Sequence, residues 1–435
     1  MDDHFPFFTR LSRYAKTSSS LVGTATRLAS EHFLNLSFDE EKQAEALMLT
    51  LGNLKGPLMK VAQFLATVPG ALPKAYAEKF LTLQTNAPAM GESFVRRRMR
   101  GELGENWPDS FQDFDLQPSF AASLGQVHKA TLKDGSTVAC KLQYPDMETI
   151  VEADLQQLRL VLGVYEAFQK GIQTENIFEE IKEKLFEELD YFLEAEALQT
   201  YGKIFADHPL ISVPKVFTNY STKRLLTMDF VEGESLMRFT ESSLSERNHL
   251  ARLLFHGWYF PFYHHNVIHG DPHPGNYRVT SVDGKQGLCL LDFGCVRHFN
   301  KNFIKGVIHL YEALKKNDRD RMAYAYEMWG FDHLSFEVME IMSDWAKLLF
   351  DPLLDDRIRP IQEKITGWDV ASDVHSRLSQ CGGVKPPREF VFMDRAAVGI
   401  GSVLFHLGAE LNWHTLFEEL IDTHRDEIPL QAPLE

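Results

Sequence analysis

The first hundred or so residues carry apolar side chains at helical spacing. From Ala44 to Leu65 apolar residues recur at steps of three and four, which predicts an amphipathic helix with one buried face. Ser37 and Glu40 precede it with the spacing of a capping box. Residues 8–33 place basic side chains among apolar ones, which suits either a membrane interface or simple packing. Residues 1–110 are therefore predicted to form a helical extension.

The pattern changes at about residue 111, where short β-prone runs replace the helical spacing. Asp134 and Gly135 separate two such runs, and both turn positions of a tight hairpin must tolerate positive φ. Residues 120–144 are therefore predicted to form a β-hairpin with a loop before it. The next predicted elements are helices within 146–206, among them one helix at 177–200, and a pair of strands at 211–217 and 224–230.

The remainder of the chain has mainly helical spacing. The exception is a predicted hairpin of residues 277–280 and 287–292, which carries Asp292 at its end. A chain of 435 residues exceeds the ~250–300 residues at which one core usually stops growing, so separate units are expected. We predict an α+β fold, in which residues 111–233 form a small β-rich unit with a helical insert and residues 234–435 form a helical unit.

Charge and cysteine content exclude several classes of protein. The net charge of −16 repels phosphate backbones and anionic lipid at long range, so nucleic acid is not expected as a partner. The basic run at 96–100 is either a solvated helix face or a local contact for phosphate or lipid head groups. Four cysteines without paired spacing suit a reducing compartment. With no signal peptide or transmembrane stretch recognised, we expect a cytoplasmic protein, in solution or peripheral to a membrane.

The most informative stretch is 269–276, His-Gly-Asp-Pro-His-Pro-Gly-Asn, followed by the Asp-Phe-Gly sequence that begins at Asp292. Asn276 follows Asp271 by five positions, and Asp292 follows Asp271 by twenty-one. This is the spacing of a kinase catalytic loop and its metal-binding aspartate. In that arrangement Asp271 accepts the proton of the attacking group. Asn276 and Asp292 supply the hard oxygen ligands that Mg²⁺ prefers.

A transition-metal site is the competing interpretation, because several potential ligands crowd this stretch: His264, His265, His269, Asp271 and His273. Pro272 and Pro274 favour a loop over a helix here, and the oxygen ligands fit magnesium better. His269 is expected to pack behind the loop.

Lys141 closes the second strand of the predicted hairpin. Kinases place a lysine there to contact the α- and β-phosphates of the nucleotide. Such a lysine needs an acid partner from a helix, and the predicted helix at 177–200 offers several: Glu187, Glu188, Asp190, Glu194 and Glu196. In a continuous helix Asp190 and Glu194 share a face. The residues themselves leave the choice of partner open.

The loop before that strand lacks most glycines of a protein-kinase nucleotide loop. Where G-x-G-x-x-G would stand, Phe120 is followed by the predicted nucleotide-binding residues Ala121, Ala122, Ser123, Leu124, Gly125 and Gln126. Glycines let backbone N–H groups approach phosphate oxygens, whereas alanine restricts those conformations. We therefore expect a different grip on the nucleotide. No Ala-Pro-Glu sequence or activation loop follows Gly294, so a protein substrate is not expected.

Taken together, these motifs resemble the atypical kinase-like family that includes the UbiB proteins of ubiquinone biosynthesis and their mitochondrial relatives. Five features match in order: 60–63 resembles the K-x-G-Q motif, 121–128 the alanine-rich loop, Lys141 the strand lysine, 188–195 the E-x-D segment, and 269–292 the catalytic loop and metal site. The resemblance implies a protein-kinase-like bilobal fold, with a β-rich N-lobe carrying a helical insert, a helical C-lobe and an N-terminal helical extension.

The resemblance also implies roles for individual residues. Lys60 and Gln63 would gate the site, with Lys60 paired to Glu188. Glu194 would pair with Lys141, and Asp190 would assist at the metal. The chain departs from the family pattern at four positions: Ala62, Phe120, Cys140 and Gly270.

The function implied by the resemblance is that of an atypical kinase that binds ATP or ADP with Mg²⁺ and hydrolyses ATP in support of quinone or other isoprenoid-lipid metabolism. A lipid or quinone-precursor ligand, a peripheral membrane contact and biosynthetic partner proteins belong to that expectation. Two alternatives stay open. One is a small-molecule or lipid phosphotransferase, in which Asp271 activates a substrate hydroxyl. The other is a nucleotide-sensing scaffold with little turnover.

Overall fold

The computed structural model describes residues 89–121, 124–168, 175–331, 334–362, 367–384 and 387–422. Several sequence predictions lie outside these residues: the amphipathic helix from Ala44 to Leu65 with its capping box, the segment 8–33, the gating residues Lys60 and Gln63, and the loop residues Ala122 and Ser123. The division into units at residues 110 and 233 stays a prediction.

The strands of the described part build four small sheets. The strands are β1 (Phe111–Phe114), β2 (Phe120–Ala121), β3 (Gly125–Leu132), β4 (Thr137–Gln143), β5 (Ile211–Ser212), β6 (Leu225–Asp229), β7 (Glu234–Ser235), β8 (Val267–His269), β9 (Tyr277–Val282), β10 (Lys285–Leu290), β11 (Val296–His298), β12 (Arg359–Pro360) and β13 (Glu410–Leu411). The first sheet has the order β1-β3-β4-β6, with β2 added to β3, and the second has the order β5-β10-β9-β7. The pairs β8-β11 and β12-β13 complete the set.

Helices make up most of the remainder. They are α1 (Glu92–Leu103), α2 (Met147–Phe168), α3 (Glu175–Glu187), α4 (Tyr191–Ile204), α5 (Leu244–His265), α6 (Lys301–Lys316), α7 (Arg319–Met328), α8 (Phe336–Leu354), α9 (Gly367–Gln380), α10 (Arg388–Leu407) and α11 (Trp413–Ile421). Within the described ranges, no helix combines the length and apolar character needed to cross a membrane.

The hairpin predicted for residues 120–144 is confirmed as β3 and β4, which pair from Gly125↔Gln143 to Thr131↔Thr137. Gly135 has φ 88° in the turn, and Asp134 accepts a hydrogen bond from the Ser136 N–H at 2.9 Å. The hairpin predicted around residue 280 is confirmed as β9 and β10. It ends two residues before the predicted metal ligand, so the second hairpin sets the position of that residue.

The predicted strand pair at 211–217 and 224–230 is correct only in part. A single antiparallel bridge joins Val216 to Met228, whereas β5 runs parallel to β10 in the other sheet and β6 pairs with β4. Pro214 has no N–H to donate, which prevents one continuous strand over 211–217. Ile211, which is 2% exposed, belongs to the larger core and draws β5 toward it.

The single helix predicted for 177–200 is wrong, because the chain breaks between α3 and α4. Asp190 leaves the helical conformation, with φ −115° and ψ 95°, and its side chain accepts a hydrogen bond from the Phe192 N–H at 3.0 Å. Short acidic side chains favour this N-cap position because they satisfy a backbone donor that the helix cannot. The break means that Asp190 and Glu194 do not lie on one face of a continuous helix, and that Glu188 precedes the helix that carries Glu194.

Two hydrophobic cores lie on either side of the site. The smaller one packs α1, α2 and α3 against the first sheet, and Val138, Cys140 and Leu142 of β4 are its fully buried centre. The larger one joins α4 and α5 to the helices that follow and to the second sheet. Burial raises the pKa of the Cys140 thiol to about 12 and that of Cys289 to about 11. Both cysteines are core residues, as expected, and are poor nucleophiles.

Candidate active site

Lys141 of β4 and Glu194 of α4 form an ion pair between the first sheet and the helix that follows the break. The Lys141 ammonium lies 2.8 Å from both carboxylate oxygens of Glu194. The Glu194 side chain is only 3% exposed and that of Lys141 only 12%. Because Asp190 starts α4, the first turn of this helix presents Glu194 to the strand. Of the acids that the sequence offered, this is the one that the structure brings to Lys141.

Asp292 is the second carboxylate near the lysine, with Oδ1 3.5 Å from the Lys141 ammonium. Burial by itself lowers the pKa of Lys141, but Asp292 and Glu194 outweigh it and hold this pKa well above its ordinary value. Burial raises the pKa of Glu194, and the negative charge of Asp292 adds to the shift against the opposing effect of Lys141. The lysine is therefore held as a cation beside closely spaced carboxylates.

His269 connects the two aspartates of the predicted site. Its Nε2 donates to the Asp292 carbonyl oxygen at 2.8 Å, and its Nδ1 accepts from the Asp271 N–H at 3.4 Å. The ring is 1% exposed and packs edge-on against Phe293. The expectation that His269 packs behind the loop is confirmed. The sequence did not show that the His269 imidazole bonds to backbone groups of both Asp271 and Asp292.

Asn276 is buried and already oriented by the catalytic loop. Its side-chain N–H₂ donates to the Asp271 carbonyl oxygen at 3.1 Å, which leaves the amide oxygen for another partner. Asp292 has φ 53°, and its Oδ1 also accepts from the Gly294 N–H at 3.3 Å. An amide oxygen and a carboxylate are the ligand types that suit Mg²⁺. These two residues therefore fit the ion that the sequence predicted.

The remaining predicted residues of the E-x-D segment lie at the edge of this group. A Cβ atom placed on Gly294 would lie 3.5 Å from the Glu188 side chain and 3.9 Å from Glu194, so Glu188 borders the Asp-Phe-Gly sequence. Asp190 acts as the cap of α4. The gating role of Glu188 and the metal role of Asp190 stay predictions, because the helix with Lys60 and Gln63 lies outside the described residues.

The nucleotide loop is described at four of its six predicted residues. Gly125 leaves no room for a side chain, since a Cβ would overlap the carbonyl of Leu142. Leu124 belongs to the smaller core. The Gln126 side chain bonds to both backbone groups of Met90, at 2.7 and 3.1 Å. Ala121 pairs with Gln126 at the start of the loop, so the described residues of the loop are held by the sheet and the core.

Phe120 introduces a contact across the cleft that the sequence did not predict. The register Phe120↔Val127↔Lys141 places its ring on the same face of the sheet as the lysine. The Arg278 guanidinium, on β9 of the other sheet, lies 5.6 Å from the centre of this ring. The sequence hint for this contact was Arg278, a basic residue two positions after Asn276 in a strand with alternating polar and apolar residues.

The transition-metal interpretation finds no support in the described residues, where no three His, Cys, Asp or Glu side chains come together as a metal would require. His273 caps a short turn by accepting the Gly275 N–H at 3.1 Å. His264 stacks on Phe260 with ring centres 4.5 Å apart. The histidines are used for packing and capping.

A small antiparallel sheet that carries a lysine, a helix with its acid partner, and a loop and hairpin that carry Asp271, Asn276 and Asp292 define a protein of the kinase-like class. The model of the ABC1 atypical kinase-like domain matches residues 82–326. The chain therefore belongs to the ABC1 atypical kinase-like family, and the resemblance to UbiB proteins and the kinase-like α+β fold are confirmed.

The similar proteins carry kinase names. The mitochondrial atypical kinase COQ8 of Saccharomyces cerevisiae is 26% identical over 95% of this chain and 85% of its own length. The mitochondrial atypical kinase coq-8 of Caenorhabditis elegans is 28% identical over 76% of this chain and 46% of its own. The probable serine/threonine-protein kinase abkB of Dictyostelium discoideum is 32% identical over 68% and 45%. The chain thus spans about half the length of the last two.

A solved structure agrees with the fold. The Mycobacterium tuberculosis protein Rv3197, in complex with erythromycin, aligns with a TM-score of 0.58 and 28% sequence identity. The alignment covers 88% of this chain and 96% of the other. This coverage is larger than that of the family match at residues 82–326, so part of the chain outside those residues also belongs to a shared architecture.

Proposed function

We propose that the chain binds ATP with Mg²⁺ and hydrolyses it slowly, in support of quinone or other isoprenoid-lipid metabolism. The observation that carries the proposal is the position of Lys141, held between Glu194 at 2.8 Å and Asp292 at 3.5 Å. A buried lysine fixed in this way meets the α- and β-phosphates of a nucleotide in kinases.

Each of the other residues has a task in this proposal. Asn276 and Asp292 would hold Mg²⁺, which supplies charge neutralisation at the phosphates. Asp271 is half-buried and tied through its backbone to His269 and Asn276. Its carboxylate would orient the attacking water or hydroxyl and accept its proton.

Water or a small hydroxyl compound suits this site better than a protein substrate. After Gly294 the chain forms β11, which pairs with β8, and α6 begins at Lys301. Few residues are left between these elements for the segment on which protein kinases seat a peptide. A lipid or quinone precursor, reached by peripheral membrane contact or through biosynthetic partner proteins, is the proposed context.

The direct test is to follow the γ-phosphate of labelled ATP with purified protein, Mg²⁺ and extracted lipids. We expect release of inorganic phosphate that depends on Mg²⁺ and is lost in Asp271→Asn. Label that appears in an extracted metabolite would instead favour the phosphotransferase. A scaffold would bind ATP and keep biological function in Asp271→Asn, measured as quinone content after complementation of a quinone-deficient strain. Absence of Mg-dependent nucleotide binding by the unchanged protein would remove the proposal altogether.

Phe120→Ala is expected to weaken ATP binding by about tenfold, the usual contribution of one aromatic side chain stacked on a base. The reason is that the Phe120 ring faces the cleft beside Lys141 and opposite Arg278. Isothermal titration with Mg-ATP and with inorganic triphosphate separates the base from the phosphates, and only the first should lose affinity. Phe336→Ala removes another exposed ring, at the start of α8, and serves as the control. Equal losses for both ligands would show that Phe120 acts on the phosphate loop instead.

A further inference from the structure

The peptide at Gly270, directly before Asp271, lies against an aromatic ring from a distant part of the chain. A Cβ atom on Gly270 would lie 2.6 Å from Cε2 and 2.9 Å from Cε1 of Phe392, and closer still to Cζ. Phe392 is on α10 and is 1% exposed. Gly270 is not among the glycines with positive φ, so its backbone conformation does not require glycine. Glycine is required at this position because the Phe392 ring occupies the space of a Cβ atom.

A second contact brings α10 against the same loop. A Cβ atom on Gly399 would overlap Cγ of Pro272 and lie 3.2 Å from its Cβ. Residues 392, 396 and 399 share one helix face, and Ala396 between the two contacts is fully buried. The helix α10 therefore contacts the residues on both sides of Asp271, with Phe392 against Gly270 and Gly399 against the Pro272 ring.

The ring of Phe392 also lies close to cationic side chains from two other elements, α3 and β11. The ammonium of Lys184, on α3, lies 5.4 Å from the ring centre, and the guanidinium of Arg297, on β11, lies 5.8 Å from it. Arg388, at the start of α10, donates to Glu183 of α3 at 3.0 Å. Phe392 is thus enclosed by the catalytic loop, the strand after the Asp-Phe-Gly sequence and the helix that leads to Glu188.

We propose that Phe392 is a positioning residue for the catalytic loop, and that α10 ties this loop to α3. The Phe392 ring fills the space that a side chain at position 270 would take. The loop is therefore held by contact with α10, and not by a side chain of residue 270. Residue 392 lies beyond residues 82–326, which match the family. The glycine at position 270, where the chain departs from the family pattern, is then the counterpart of a ring supplied from outside the matched region.

Gly270→Ala should displace the loop and with it Asp271. Overpacking of this kind is expected to lower the melting temperature by several degrees. The effect on turnover rests on the proposed ATP hydrolysis. There kcat should fall by about 10- to 100-fold, because small misplacements of a catalytic group are costly. The affinity for nucleotide should stay within about twofold, because Lys141 and the nucleotide loop are untouched.

Phe392→Leu should rescue Gly270→Ala. Leucine keeps Cγ and both Cδ positions but lacks the Cε and Cζ atoms that occupy the space at residue 270. The double variant should recover at least half of the lost melting temperature and of kcat, although Phe392→Leu alone leaves a cavity and lowers both. Phe405→Leu makes the same change about 20 Å further along α10 and should not rescue. Amide hydrogen exchange over residues 267–276 reports on the loop without any enzyme assay.

The results separate this proposal from the proposed function. If ATP is not hydrolysed at all, rescue of the melting temperature and of amide protection by Phe392→Leu would still support the contact. The proposal would be overturned if the losses of melting temperature in Gly270→Ala and Phe392→Leu simply add in the double variant, or if Phe405→Leu also rescues Gly270→Ala. If Gly270→Ala does not fold, Phe392→Leu alone must speed exchange at 267–276 and lower kcat with nucleotide affinity kept. Unchanged exchange in that variant would also overturn the proposal.

Discussion

Asp292→Asn is expected to abolish Mg-dependent nucleotide hydrolysis while leaving the stability of the ligand-free protein nearly unchanged. The substitution removes one charged ligand of the ion, and a loss of about 100-fold or more in kcat is typical when a preorganised electrostatic group is removed. Stability should change little because two effects of the Asp292 charge oppose each other: it attracts the Lys141 ammonium at 3.5 Å, and it raises the pKa of the nearby Glu194.

Asparagine is the right replacement because of the backbone at this position. Asp292 has φ 53°, a left-handed conformation that Asn adopts readily and Ala does not. Asp292→Ala therefore combines loss of the ligand with backbone strain, and serves as the comparison that separates the two effects. Asp283, also at positive φ but in the turn between β9 and β10, gives a matched control, since Asp283→Asn should change neither activity nor the response to Mg²⁺.

Thermal melting with and without Mg-ATP measures both halves of this prediction. The unchanged protein should show a rise in melting temperature with Mg-ATP, because a ligand that binds the folded state stabilises it. Asp292→Asn should melt close to the unchanged protein without ligand and gain little from Mg-ATP. A variant that keeps the full gain would mean that Asp292 does not hold the metal.

Lys141→Met is expected to cost about 3–5 kcal/mol of folding stability near neutral pH, because it leaves Glu194 buried without its cation. The Glu194 side chain is 3% exposed, so water cannot take the place of the ammonium. The cost should depend on pH. The pKa of Glu194 is already raised by burial with the lysine present, and removal of Lys141 raises it further.

The sign of this dependence follows from linkage. A carboxyl whose folded pKa lies above its unfolded value of about 4.5 stabilises the fold fully at pH below that value. This contribution is lost as the pH rises through the folded pKa. Lys141→Met should therefore be less damaging at pH 5 than at pH 8.

Urea unfolding at the two pH values provides the measurement. The double variant Lys141→Met with Glu194→Gln removes the carboxyl and should lose the excess pH dependence while recovering part of the stability. Equal losses at pH 5 and pH 8 for Lys141→Met would contradict the buried ion pair. The same variants should not bind nucleotide tightly, because the amine that meets the phosphates is gone.

Local sequence was sufficient to recognise those candidate site residues that are defined by their spacing along the chain. Asp271, Asn276 and Asp292 are separated by distances fixed by one loop and one hairpin, so the motif could be recognised without knowledge of the fold. Lys141 was equally accessible, because the Asp134-Gly135 turn sets the register of β3 and β4. The catalytic roles of these residues stay predictions, to be tested by the variants above.

Tertiary contacts explain what the sequence left open. The choice of Glu194 depended on a helix break that Asp190 imposes through its own capping bond, whereas the apolar spacing continued smoothly across it. The parallel pairing of β5 with β10 joins residues far apart in the chain. Phe392 looked like one more apolar residue of a helix. Only its contact with Gly270 distinguishes it, and no local pattern encodes a contact between such remote positions.

The support of the catalytic loop by α10 has a consequence for the order in which the molecule is made. The ribosome adds Phe392 more than a hundred residues after Gly270, a delay of roughly ten seconds at common rates of synthesis. During that interval the nascent polypeptide contains Lys141, Asn276 and Asp292 but not the helix that packs behind Asp271. On the proposed function, emerging chains are thus expected to bind ATP but to hydrolyse it slowly until the helix leaves the exit tunnel, so that full turnover begins only once α10 has packed.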